Sequence, residues 1–467
     1  MTWHRSAIAS ALLVCLGTTA AGTLPASATP KERTVTVRPA TEEQVVTAVE
    51  RAAHPLRSVE PWGDTGDLRP LDRMIGDARV VGVGEATHSS HDFFAMKHRV
   101  FRHLVEAKGF RTFGLEVSWS TGRRLNDYVV HGKGDPRRIM RDEFQFAYSW
   151  WNNTDYLTLV EWMRAYNRQH PNDPVQFMGD DLGWAGPEVY DEVTDYVARA
   201  HPELEARFTE LYQGLRPTVA TGVYMEQYMN KPLAERQEMA ARTGEALKLL
   251  RKQSAGTDGK AGTDGKAGTD RTAYDWAVQS ATVIDQVARF YSFDAGTDQA
   301  QSAAAMRYRD QAMADNTAWW QEHTGTKVLV SAHNAHLGYE TPDPANYPRM
   351  QGAFLRDRLG GAYVSVGFTF DRGSFNATGP DGKVQRFTVG PAGAGTNEHT
   401  LDRVRYRDYL VDLRSVPAPG RGWLDRTRPT RSIGTGYPDR EYDIALARTH
   451  DVLIHLHQVE AARLRDQ

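Results

Sequence analysis

Cysteine is almost absent: the 467-residue chain holds one, Cys15. It sits in an N-terminal segment expected to be removed, so the mature protein has no disulfide and no thiol nucleophile. No Gly-x-Ser-x-Gly elbow, P-loop, Gly-x-Gly-x-x-Gly turn or His-Glu-x-x-His pair occurs, which disfavours serine hydrolases, phosphate-cradling folds and zinc proteases of that pattern. Charge of one sign is lacking too, with a net of -3 from mixed acids and bases. That argues against nucleic acid or another polyanion as partner. Beyond the N-terminal segment no apolar run is long enough to span a bilayer.

Residues 1–28 have the layout of a secretory signal peptide: His4 and Arg5 at the start, an apolar run over 7–16, and Ala26-Ser27-Ala28 for cleavage. Bulky Val14 ahead of Cys15 does not suit a lipoprotein signal. The expected product is secreted, with one catalytic domain over 29–467.

What is present centres on residues 80–116. Val80-Val81-Gly82-Val83 reads as a short buried strand. It is followed by Gly84-Glu85-Ala86-Thr87-His88 and a helix capped by Ser89 or Ser90 and ended by Gly109. A second strand over 110–117 closes a βαβ unit with parallel strands. Ligands bind outside the carboxyl ends of such strands, where Glu85, His88 and Glu116 lie. Residues 175–181 form another strand ending in Asp180 and Asp181, and 327–332 another, which delivers His333 and His336. Strands over 362–370 and 452–456 follow, the last expected at an edge or as a closing strand.

These elements specify an α/β fold: a mostly parallel β-sheet flanked by helices, with a large helical insertion over about 188–322 covering the carboxyl edge of the sheet. Within that lobe the tandem Ala-Gly-Thr-Asp-Gly-Lys repeat is too glycine-rich and polar to pack, and is expected as a disordered loop over 254–272. The aromatic run Tyr148-Ser149-Trp150-Trp151 reads mainly as core, with some rings free to line a pocket.

Singly, each candidate has a bland reading: Glu85 as a helix cap, His88 as a loop residue, Glu116 as a partner of Arg123 or Arg124. Together they form an inventory of histidines and acids. A histidine held by carboxylates can act as general base on water, and a second histidine pair can polarise a carbonyl or protonate a leaving oxygen. Direct ester hydrolysis fits such a set. So, as a minority reading, does a divalent metal such as zinc.

Gly84-Glu-Ala-Thr-His88, Phe93-Phe94-Ala-Met-Lys97-His98-Arg99, Leu115-Glu116, Trp162-Met-Arg-Ala-Tyr-Asn167, Arg309-Asp310-Gln-Ala-Met313-Ala-Asp-Asn316 and Ala332-His333-Asn334-Ala-His336 together resemble the erythromycin esterase family. Ile433-Gly434, Tyr437 and Asp451 agree, so the resemblance runs over most of 71–455. It implies hydrolysis of the macrolactone ester of macrolide antibiotics. His88 matches the general base, Glu85 and Glu116 its supporting acids, and His333 and His336 the second histidine pair. Ser89 departs from the glycine that commonly follows the histidine, and export is unusual for a resistance enzyme. The expectation is a secreted carboxylic ester hydrolase with a small-molecule ester or lactone substrate and no cofactor. Alternatives are a secreted metal- or haem-binding protein, a metal-dependent hydrolase of another substrate, and an assembly protein on an inactive esterase fold.

Overall fold

The computed structural model describes residues 41–253 and 266–466. The expected signal peptide at 1–28 and most of the tandem repeat lie outside the described residues. The repeat's last part differs from expectation: a helix runs Lys266–Tyr291, so 266–272 is helical.

Strands follow in chain order as β1 (Ala53–Pro55), β2 (Val80–Val83), β3 (Phe110–Ser118), β4 (Gln176–Asp181), β5 (Lys327–Ser331), β6 (Tyr363–Thr378), β7 (Val384–Val389), β8 (Tyr409–Asp412), β9 (Arg428–Thr430), β10 (Tyr442–Ile444) and β11 (Val452–Val459). Nine of them form one mixed sheet in the order β1-β8-β11-β6-β2-β5-β3-β4, with β7 paired to β6, and β9 pairs β10 separately. The six strands from β11 to β4 run parallel. At the β1 end, β8 is antiparallel to both neighbours. The β2 and β3 strands of the βαβ unit are parallel as expected, but β5 lies between them. The expectation of an edge or closing position for β11 is corrected: it is internal, between β6 and β8. Six of its eight residues, Val452 to Leu456 and Val459, are buried, as suits a strand paired on both sides.

Period-two alternation divides the core into two faces. Val81, Val83, Phe113 and Leu115 pack with Phe101 and Met163 of the helices His91–Lys108 and Thr154–Gln169. Val80, Val328 and Val330 pack on the other face with Val193, Leu250, Ile284 and Trp320. Those last four side chains come from helices of the 188–322 segment. The insertion is therefore the second helical layer of the fold as well as a wall at the sheet's carboxyl edge. A third cluster joins the helix Glu42–Ala52 to Tyr409, Val411 and Leu453 at the antiparallel end.

Among the described residues no helix is long and apolar enough to cross a membrane.

Candidate active site

The central strands stop at different levels, and the residues just past their ends share one space. Gly84 follows β2, where a Cβ would lie 2.1 Å from Asn334 Oδ1. Only glycine allows that approach. Asn334 Nδ2 donates to Phe368 O at 2.7 Å, and Phe368 N donates to Asn334 Oδ1 at 3.0 Å. Asn334 N donates to Glu85 O at 2.9 Å, so one side chain and its backbone tie the ends of β2 and β5 to the middle of β6. In β3 the pairing with β4 jumps from Leu115 to Ser118 while β4 advances from Gly179 to Asp181. Glu116 stands in this one-residue bulge, which re-aims it past the end of β5.

His88 Nδ1 lies 2.9 Å from Glu85 Oε1, both side chains buried. A carboxylate only accepts, so Nδ1 carries a proton, and in the neutral ring Nε2 is the nitrogen with the lone pair. Lys97 Nζ donates to the other oxygen of Glu85, to Ser331 Oγ at 2.9 Å and to Ala332 O at 3.3 Å. Three acceptors match the three donors of an ammonium. Burial pulls the Lys97 pKa below its ordinary value, opposed by Glu85 and Glu116. Tyr156 OH pairs with Ser331 Oγ at 2.9 Å beneath the lysine. Ser90, at the helix N-cap position, makes no capping bond; its hydroxyl pairs with Thr87 instead. Ser89 accepts from Asn376 Nδ2 at 2.9 Å, tying the His88 loop to β6.

The second half of the site is organised by Glu116. Its Oε2 accepts from His333 N at 3.0 Å, and its Oε1 lies 2.9 Å from Arg309 Nη2 and 3.3 Å from His336 Nε2. Burial would raise the Glu116 pKa, but His336, Arg309 and His88 hold it below the usual carboxylate range. His336 Nδ1 also meets Asp310 Oδ1 at 2.7 Å. Burial would lower His336, yet Asp310 and Glu116 raise it to about 9. Arg309 also clamps Asp181, which accepts from Tyr148 OH at 2.9 Å.

His333, three residues before His336, is opposite in character. Its Nδ1 accepts from Ala335 N at 3.2 Å, and a backbone N–H can only donate. The ring proton therefore sits on Nε2, which is buried without a partner among the described residues. Burial, then His88, push its pKa well down, so the ring is neutral. The rings of His88 and His333 are 4.9 Å apart, and the Trp151 ring meets His88 edge-on at 5.3 Å.

All five expected residues, Glu85, His88, Glu116, His333 and His336, are thus brought into one connected cluster. Arg124 pairs with Glu143 and Arg123 with Glu192, so neither takes Glu116. Sequence reasoning gave no role to Lys97, Arg309, Asp310, Asp181 or Tyr148. The first and the next two stood inside family-like motifs, which was the available signal. His88, Glu116, His333, His336, Arg309 and Trp151 line a cavity of ≈ 1010 Å³. The donors do not suit zinc: His333 Nε2 carries a proton, and His336 Nε2 lies 3.3 Å from both Glu116 Oε1 and the Arg309 guanidinium, a cation that would repel a metal ion. Among the described residues, one trio of possible metal donors lies close together, Asp371, Asp402 and His457. None of the three lines the cavity.

The sequence model of the erythromycin esterases matches residues 105–459. The chain belongs to the erythromycin esterase family. It is 24% identical over 385 residues to erythromycin esterase type II of Escherichia coli, covering 78% of this chain and 87% of that enzyme. A crystal structure of a Bacillus cereus protein superposes with a TM-score of 0.80 at 26% identity, covering 92% of this chain and 100% of the other. A histidine mutant of the erythromycin esterase EreC, in its open conformation, shares the fold with a TM-score of 0.68 at 16% identity, covering 88% and 98%. Family membership indicates a hydrolase acting on a small molecule.

Proposed function

We propose that this protein hydrolyses carboxylic esters by direct attack of water, with His88 as general base. The observation that supports it is the pairing of two opposite imidazoles: His88 offers a lone pair on Nε2, and His333, its ring 4.9 Å away, offers an unpartnered N–H. In this reading His88 Nε2 takes a proton from water as the oxygen attacks the ester carbonyl. The developing oxyanion accepts a hydrogen bond from His333 Nε2. Collapse breaks the C–O bond, and the His88 imidazolium returns the proton to the leaving alkoxide, giving a carboxylic acid and an alcohol. Glu85 fixes the His88 tautomer, while Glu116 holds the His333 backbone and is kept ionised by His336 and Arg309. A positioned base contributes about 10²–10⁴ in rate, and one oxyanion donor about 10²–10³.

The substrate proposed is a lactone or other small-molecule ester, with the macrolactone ring of a macrolide as the first candidate because of the relatives' names. Export by the N-terminal segment would put the reaction outside the cytoplasm.

The test is mass spectrometry of chelator-treated protein incubated with macrolides and simple lactones. Gain of one water with the wild type, lost in His88→Asn at unchanged melting temperature, is the expected result. Wild-type turnover by His88→Asn would overturn the mechanism, and opening of simple lactones alone would remove the macrolide from it.

A further inference from the structure

The cavity has a second wall that the ester chemistry does not use. Besides the acids and histidines it is lined by Phe146, Met225, Met229, Phe290, Met306 and Met350. Four of the chain's 12 methionines thus face one cavity. Methionine is unbranched and polarisable, and such walls adapt to apolar ligands of varied shape.

Phe146 is the unusual member. Its φ is 54°, and among the described residues no other non-glycine has a positive φ. An L-residue there is disfavoured, most of all a bulky one. The ring gains no core burial in return, since it is 50% exposed, beside Met229 at 40%. The backbone around it is fixed. Gln145 Nε2 donates to Arg141 O at 2.8 Å, and a Cβ on Gly222 would lie 3.3 Å from Gln145 Oε1, so the helix Thr221–Met229 packs against this corner. The same turn, Phe146–Trp151, sets Tyr148 on Asp181 and Trp151 on His88. One short segment therefore contributes to the reaction centre and presents an exposed aromatic ring to the same cavity.

We propose that Phe146 is a specificity-determining residue, which with the methionine wall grips the uncharged apolar body of the ester whose carbonyl lies at His88 and His333. The assignment rests on the ester-hydrolase reading and narrows it to esters with a sizeable apolar portion. Strained, exposed residues held by their surroundings concentrate where ligands bind.

Position 146 offers a clean variant, because glycine adopts this φ without strain. Kinetics with methyl decanoate and methyl acetate would be compared in the wild type, Phe146→Gly and Phe146→Leu. In Phe146→Gly the decanoate-to-acetate ratio of kcat/KM should fall about tenfold, as expected for losing contact with part of one aromatic ring. The loss should be carried by KM, with a melting temperature no lower than wild type. Phe146→Leu, which keeps an apolar side chain, should recover part of the ratio. An unchanged ratio in Phe146→Gly would overturn the proposal. If the wild type hydrolyses neither ester, calorimetry with decanamide decides the wall, and the ester-hydrolase reading falls by itself if the macrolides and simple lactones are refused as well. Weaker binding by Phe146→Gly keeps the apolar grip, whereas equal binding overturns it too.

Discussion

Two buried glutamates in different regions of the molecule carry opposite electrostatics. Glu116, at the carboxyl edge of the sheet, is 2% exposed, and Glu143, at the end of the helix Pro136–Glu143, is 1% exposed. Burial pushes both carboxyl groups up. At Glu116 it is outweighed by His336, Arg309 and His88. At Glu143 it prevails: the half-exposed Arg124 compensates only partly, Glu188 lies close, and the pKa rises to about 7. Oε2 of Glu143 has no hydrogen-bond partner among the described residues. The ionisation of a buried acid is thus set by the cations built around it, and the sheet edge is where this chain places Lys97, Arg309 and His336 among acids.

The largest effect should come from removing the base. His88→Asn should lower kcat on any accepted ester by about 10²–10⁴, read in steady-state kinetics, with the denaturation midpoint unchanged. Next is Arg309→Met, which leaves Glu116 and Asp181 without their guanidinium. Loss of one partner of a buried ion pair typically destabilises by about 3–5 kcal/mol, measurable by urea unfolding; an unchanged midpoint would mean that the guanidinium is not what compensates Glu116.

The third effect is a pH window. His336 is raised from its ordinary 6.5 to about 9. Its folded form binds the proton more tightly, so its stabilising contribution is complete below pH 6.5 and is lost as pH rises through 9. The contribution is on the order of 3 kcal/mol. Wild type should lose stability across that window, while His336→Gln should lack this component; parallel curves for the two would contradict the assignment. An effect of the same size but in another window belongs to Glu143. Raised from 4.5 to about 7, it adds stability below pH 4.5 that is lost as pH rises through 7. At pH 8, Glu143→Gln should be more stable than wild type by about 3 kcal/mol, a difference that vanishes near pH 4.5.

The pattern of legibility follows the same physics. β2, β3, β4 and β5 are readable because each is a short apolar run with polar residues at its carboxyl end. That reading alone assembled Glu85, His88, Glu116, His333 and His336. Lys97 and Arg309 escaped it because a cation on a helix reads as solvated. The helix Gln299–Thr324 gives no clear apolar stripe to reveal that Asp310 and Asn316 face inward. β1, β9 and β10 have three residues each, too few to show a period. The internal place of β11 depends on pairing with β6 and β8, a non-local fact that strand composition does not encode. The inner-layer role of the 188–322 helices was hidden likewise, since an amphipathic helix does not say which apolar face it covers.

In the proposed reaction His88 and His333 hold opposite ends of the proton chemistry while His336 stays charged. Nitrogen-15 spectra of histidine-labelled protein against pH, assigned with His88→Asn, His333→Asn and His336→Gln, measure this directly. The expected result is a neutral His333 with its proton on Nε2, a proton on His88 Nδ1, and a His336 imidazolium that titrates near pH 9. A His333 that is protonated at pH 7, or that carries its proton on Nδ1, would contradict the account.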